Sequence, residues 1–146
     1  MVKKGWAETE QNAEELWLPL FRKYNQTVKG LREGGFEIDE QEFWTDIRQG
    51  HEKYFTEDEH LREFLHSIPL DKYIFTNCNE IQAEHLLTTL GIDDCFSGIF
   101  GAKFMKEHCK PDKEAFEKVV AYLGKAPECM VLFEDSYKNL MTAKVF

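Results

Sequence analysis

Residues 72–80, KYIFTNCNE, carry a β-branched and aromatic run that stops abruptly at Thr76-Asn77. An apolar run this short, closed by polar residues, predicts a buried strand. Asn79 directly behind it reads as a helix N-cap, with Gln82 at the third helical position. A strand, a polar end and a helix start together open a βα unit. In doubly wound α/β proteins the carboxyl ends of strands are where ligands bind. The stretch therefore sets both the fold class and the place to look for chemistry.

Working outward, the helix predicted over 80–90 stops at Gly91, and FSGIF predicts a second, weaker strand around 97–100. Pro111 sits in the first turn of a helix predicted over 111–123, with Phe116, Val119, Val120 and Leu123 on its apolar face and Gly124 at its end. CMVLFED, residues 129–135, predicts a third strand with a polar end, and KNLMTAKVF begins another helix. Alternating strands and helices predict an α/β half with a mostly parallel sheet.

Upstream of residue 70 the pattern is helical only. AEELWLPLFRKYNQTVKGL puts Leu16, Leu20, Tyr24, Val28 and Leu31 on one stripe, with a kink or restart expected at Pro19 and an end at Gly34-Gly35. Asp39 with Glu42 predicts a capped helix carrying Phe43, Trp44 and Ile47. Thr56 with Glu59 predicts another, carrying Leu61, Phe64, Leu65 and Ile68 and closed by Pro69. The expected division is a helical part over 1–70 and an α/β part over 71–146, with the stripes of the helical part burying each other.

The 146 residues allow one domain with a core, or a small domain plus an accessory piece. A net charge of −9 argues against nucleic-acid polymers, although one lysine and a helix N-terminus suffice for a single phosphate. No apolar run approaches the roughly 20 residues of a membrane span. The opening MVKKGWAETEQ has lysines but no apolar region behind them, unlike a secretory signal. Cys78, Cys95, Cys109 and Cys129 form no CxxC pair and have no histidine at zinc spacing, which predicts reduced thiols in a cytoplasmic protein.

Three polar clusters fall at equivalent places on the predicted sheet. Thr76-Asn77 end one strand, Lys110 precedes a helix, and Glu134-Asp135-Ser136 end another strand. The Thr76 hydroxyl and Asn77 carboxamide can donate to phosphate oxygens, and Lys110 offers a point charge. Glu134 and Asp135 are hard oxygen ligands of the kind Mg²⁺ prefers. Each cluster alone is an ordinary turn, a solvated step or an acidic helix start. Three in this order, with α/β spacing between them, point to an anion and a metal held at one edge.

IFTN with Thr76, CKPD with Lys110 and VLFEDSYKNL with Glu134 and Asp135 resemble motifs two, three and four of the haloacid dehalogenase-like phosphatases. The stretch from YNQTVKGLREGG to LDKYIFTN resembles the helical cap and following strand of the pyrimidine 5′-nucleotidase-like branch. The resemblance implies a partial doubly wound parallel sheet with an all-helical cap, and Mg²⁺-dependent hydrolysis of a small phosphate monoester such as a nucleoside 5′-monophosphate. It makes Lys110 catalytic, Thr76, Asn77 and Lys110 phosphate ligands, and Asp135 with Glu134 the metal ligands.

The family's Asp-x-Asp-x-Thr-like motif, source of its nucleophile and acid/base, has no counterpart, for no two aspartates lie two residues apart. By resemblance the first and last core strands are missing as well. Whether the chain is itself an enzyme therefore stays open, beside an inactive remnant or a fragment of a longer hydrolase. Open strand edges imply marginal stability, self-association or direct contact between the strands ending at Asn77 and Glu134.

Overall fold

The apolar run of 72–80 does become a strand, Tyr73–Phe75 (β1), in parallel with Gly98–Phe100 (β2), Ile74 opposite Ile99. The computed structural model describes residues 1–50 and 53–146, and among these the sheet has two strands. The chain divides into two compact units, Met1–Phe43 and Trp44–Phe146.

In the second unit, the period-two alternation of the strands sends side chains to opposite faces. Ile74 and Ile99 pack with Leu87, Ile92 and Cys95, together with Leu61 and Leu65 of a preceding helix. On the other face Phe75 meets Phe116 edge-on at 5.1 Å, and Phe100 lies against Tyr122 at 5.2 Å. An aromatic pair of this geometry adds about 0.5–1.5 kcal/mol to its area burial. The crossover helix Glu80–Leu90 begins as expected, with Asn79 Oδ1 accepting from the Gln82 N–H at 2.9 Å. It ends at Gly91, whose φ of 68° is a left-handed position that glycine takes without steric cost.

In the first unit, α1 (Glu10–Tyr24) is capped by Thr9 and continues without a restart past Pro19. The expected break falls instead at Asn25, which adopts φ 53°, and the chain restarts as α2 (Thr27–Glu33). A Cβ on Gly30 would lie 3.2 Å from the Leu20 backbone, so this glycine permits the close approach of α1 and α2. The Trp17 indole N–H donates to the Thr27 hydroxyl at 3.0 Å, and Val28 and Leu31 are buried. In α3 (Glu40–Arg48), Asp39 caps the helix by accepting from the Glu42 N–H, as its spacing predicts.

α4 (Glu59–Ser67) is capped by Asp58 rather than Thr56. Asp58 is fixed there because its own N–H donates to the Leu90 carbonyl at 3.0 Å, a long-range bond that local spacing does not encode. The apolar stripe of α4 goes to the sheet through Leu61 and Leu65, while Phe64 is exposed. Every regular element among the described residues of 8–68 is helical. Labels continue with α5 (Glu80–Leu90), α6 (Ala102–Met105), α7 (Lys113–Leu123) and α8 (Tyr137–Ala143).

The third predicted strand is the main correction. Residues 130–135 form no ladder, although Met130 is extended. A strand exists only through a partner's backbone; β1 is laddered to β2 along one edge, and among the described residues its other edge carries no ladder to 130–135. Val131 and Phe133 are 72 % and 89 % exposed as a result. The helix expected from Pro111 begins two residues later, at Lys113, with Asp112 at its N-cap. No helix among the described residues is long and apolar enough to cross a membrane.

Candidate functional site

Where β1 ends, the backbone is held from both sides. The Thr76 N–H donates to the Phe100 carbonyl at 3.0 Å, and the Thr76 hydroxyl oxygen accepts from the Cys78 N–H at 3.1 Å. This turn leaves the Thr76 O–H at the strand end, half-buried. Asn77 reaches across to the 110 region with both ends of its amide. Its Nδ2 donates to the Lys110 carbonyl and its Oδ1 accepts from the Lys110 N–H, each at 2.8 Å. In this arrangement Asn77 positions the Lys110 backbone, a task its place at the strand end does not announce.

Lys110 is 8 % exposed, an unusual setting for a cation, and two oxygen acceptors hold its ammonium. It donates to the Phe75 carbonyl at 2.7 Å and to Glu134 Oε2 at 2.5 Å, and lies 4.8 Å above the Phe75 ring. The Glu134 side chain is 7 % exposed. Burial alone pushes its carboxyl up, but the Lys110 ammonium, the Ser136 N–H and the Asn139 amide outweigh burial and hold it at about 2, against an ordinary 4.5. The Ser136 N–H bonds Oε1 at 3.0 Å. Lys110 thus joins the end of β1 to the unpaired segment 130–135 by a side chain, where no backbone ladder does so.

The structure therefore brings Thr76, Asn77, Lys110 and Glu134 to one strand end, and Asp135 follows Glu134 on the exposed side. The residue that sequence reasoning missed is Asn139, buried in α8. The available signal was its spacing, three residues after Ser136 and four after Asp135, which puts it one helical turn beneath the acidic pair.

A second feature beside this site also escaped sequence reasoning. Glu80 turns its carboxylate onto the loop after β2 and accepts from the N–H groups of Gly101 at 3.0 Å, Lys103 at 3.1 Å and Phe104 at 2.8 Å. A Cβ on Gly101 would come within 2.7 Å of the Cys78 carbonyl, so the close approach requires glycine.

Elsewhere His66, Asp94 and Cys95 place their ligand-type atoms within 4.8 Å of one another. Arg62, however, forks onto both Asp94 oxygens at 3.2 and 2.6 Å, with His66 at 3.3 Å. That fork holds Asp94 at about 2. Burial, with Asp94 behind it, pushes the Cys95 thiol up. A guanidinium occupies the place of an ion here, and the cluster fastens α4 to the turn at 93–95. The neighbouring pocket, about 270 Å³, is lined by Glu57, Asp58, Glu59, Asp93 and Asp94 around Arg62, a lining that repels phosphate.

A parallel βαβ unit with its charged residues gathered at a strand's carboxyl end is part of a doubly wound α/β fold, the class that takes ligands at that edge. The family model for haloacid dehalogenase-like hydrolases matches residues 14–146. The chain belongs to the haloacid dehalogenase-like hydrolases, and its fold is a partial form of theirs, with helices preceding a small parallel sheet. Hydrolases of this family generally use Mg²⁺. The donor set allows a test of that fit. Both Glu134 oxygens already accept hydrogen bonds, whereas Asp135 is exposed. The residues present fit a hydrated ion held through the Asp135 carboxylate, since Mg²⁺ keeps several waters and takes one or two carboxylates.

Proposed function

We propose that the strand-end site binds the phosphate of a small monoester, a nucleoside 5′-monophosphate or similar metabolite, in a cytoplasmic phosphatase-type hydrolase of the 5′-nucleotidase-like branch. The Thr76 hydroxyl and the Lys110 ammonium are the phosphate donors, Lys110 doubling as the catalytic lysine. Asn77 contributes from the same strand end, through its hold on Lys110. Asp135 holds Mg²⁺, with Glu134 behind it on Lys110, and the bound ion would neutralise charge on the phosphate oxygens. The observation that carries this reading is the buried Lys110, fixed at the end of β1 by Phe75, Asn77 and Glu134. Residues 1–70 act as the helical cap and 71–146 as an incomplete α/β core.

Turnover by the chain alone is poor in this reading. The sequence holds no Asp-x-Asp-x-Thr pair, and removing a covalent nucleophile that acts as a unit with its acid/base partner costs orders of magnitude. A binding-competent remnant, or one piece of a longer hydrolase, is the form of the function that this supports. The exposed Val131 and Phe133 beside an open strand edge favour self-association.

The test is calorimetric binding of nucleoside monophosphates with Mg²⁺, followed by phosphate release. Binding that weakens in Thr76→Val and loses its Mg²⁺ dependence in Asp135→Asn upholds the site. Undiminished binding in both variants overturns it. Turnover near roughly 10 per second, abolished by Asp135→Asn, would show that another residue replaces the nucleophile.

A further inference from the structure

Asn139 is the buried residue of α8, 4 % exposed, and its two amide ends are treated unequally. Glu134 Oε1 sits on the Ser136 N–H at the start of the same helix, and the Asn139 amide is among the groups that draw the Glu134 carboxyl down. The Asn139 carbonyl Oδ1 is buried with no hydrogen-bond partner among the described residues. A buried acceptor left unsatisfied costs stability, and an apolar side chain of the same shape would avoid that cost. Leucine is close in size, so packing alone does not favour asparagine here. What distinguishes asparagine is its donor end.

Geometry shows what that donor does. An ionised carboxylate only accepts, so the amide turns its NH₂ to Glu134 and its oxygen away, into surroundings that offer no proton. Glu134 thereby takes three donors: the Lys110 ammonium at Oε2, the Ser136 N–H at Oε1, and Asn139. The first two tie the carboxylate to the lysine ammonium at the end of β1 and to its own turn. Asn139 adds a tie to the first turn of α8.

We infer that Asn139 is a positioning residue of the strand-end site, whose amide holds Glu134 against Lys110 and so keeps the lysine ammonium at the end of β1. The functional consequence rests on the phosphate-site reading above, whereas the positioning itself does not. Asn139 touches no ligand in this scheme and acts only through Glu134 and Lys110.

The experiment has a phosphate-independent arm and a binding arm. The ¹⁵N-correlated signal of the Lys110 ammonium is visible only while the group is held and shielded from water. It is expected to be present in the unsubstituted chain and lost or strongly broadened in Asn139→Ala. An unchanged signal in a folded Asn139→Ala chain overturns the inference. Should that variant fail to fold, Glu134→Gln supplies the reading, because the Asn139 side-chain amide resonances must then move, and their failure to do so overturns it equally. In the binding arm, Asn139→Ala weakens the affinity for inorganic phosphate about tenfold, and adds nothing in a Glu134→Gln background. Equal losses in both backgrounds would mean that Asn139 does not act through Glu134. If the ammonium signature behaves as expected while the unsubstituted chain binds no phosphate, the positioning role stands and the phosphate-site reading falls.

Discussion

Replacing Lys110 by methionine removes one charge from a pair that water barely reaches. Lys110 is 8 % exposed and the Glu134 side chain 7 %. Methionine keeps the apolar stem out to Cε and lacks only the ammonium, so packing against Phe75 survives while two hydrogen bonds go, one to the Phe75 carbonyl at 2.7 Å and one to Glu134 at 2.5 Å. Breaking a buried pair from one side costs about 3–5 kcal/mol, because the remaining charge is left uncompensated. Protonation of Glu134 offers partial escape at pH 7, which places the expected loss near the lower end, about 3 kcal/mol. Against a total stability of about 5–15 kcal/mol this is a large fraction. In urea, with a slope of about 1–3 kcal/mol per molar, the midpoint should fall by roughly 1–3 M. Lys110→Met with Glu134→Gln removes the stranded charge, and the double variant should return to within about 1 kcal/mol of the parent. A Lys110→Met chain as stable as the parent, or a double variant no better than the single one, would refute the reasoning.

Three further expectations come from the same structure. Glu134 is held at about 2 against an ordinary 4.5, so its contribution is full above pH 4.5 and is lost as pH falls through 2. The shift corresponds to about 3 kcal/mol, and urea midpoints between pH 7 and pH 2.5 should fall further in the parent than in Glu134→Gln. Identical pH profiles for the two chains would contradict this. Gly101→Ala sets a methyl 2.7 Å from the Cys78 carbonyl, and such overpacking costs about 1–3 kcal/mol, which calorimetry should register as a melting point several degrees lower. Phe133, 89 % exposed, is the expected centre of self-association, so sedimentation of Phe133→Lys should show less concentration dependence than that of the parent.

Local chemistry made much of this fold legible. Asn79 caps α5, Gly91 and Gly124 end helices in left-handed conformations, and the apolar runs at 73–75 and 98–100 became strands. Each of these depends on residues within a turn or two of one another. The failures depend on partners distant in sequence. CMVLFED has the composition of a strand, yet a strand needs a neighbouring backbone, which composition does not supply. Thr56 and Asp58 are both good caps, and the Leu90 carbonyl decides between them. At the site, residue types and order brought Thr76, Asn77, Lys110 and Glu134 into view. How Asn77 and Glu134 spend their hydrogen bonds was not legible, since both bond to Lys110 across more than 20 residues of chain.

The Glu80 carboxylate bears on why an anion would choose one strand end over its neighbour. The amides of Gly101, Lys103 and Phe104 converge on one point, as amides do in a phosphate cradle. That cradle already has a tenant built into the chain. A tethered group competes at an effective concentration of order millimolar, so a dissolved phosphate must outbid an anion that cannot diffuse away. If the Thr76–Lys110 corner is the phosphate site proposed above, the neighbouring cradle is silenced from within, and selectivity would owe as much to a carboxylate that closes the wrong door as to the lysine that stands at the right one.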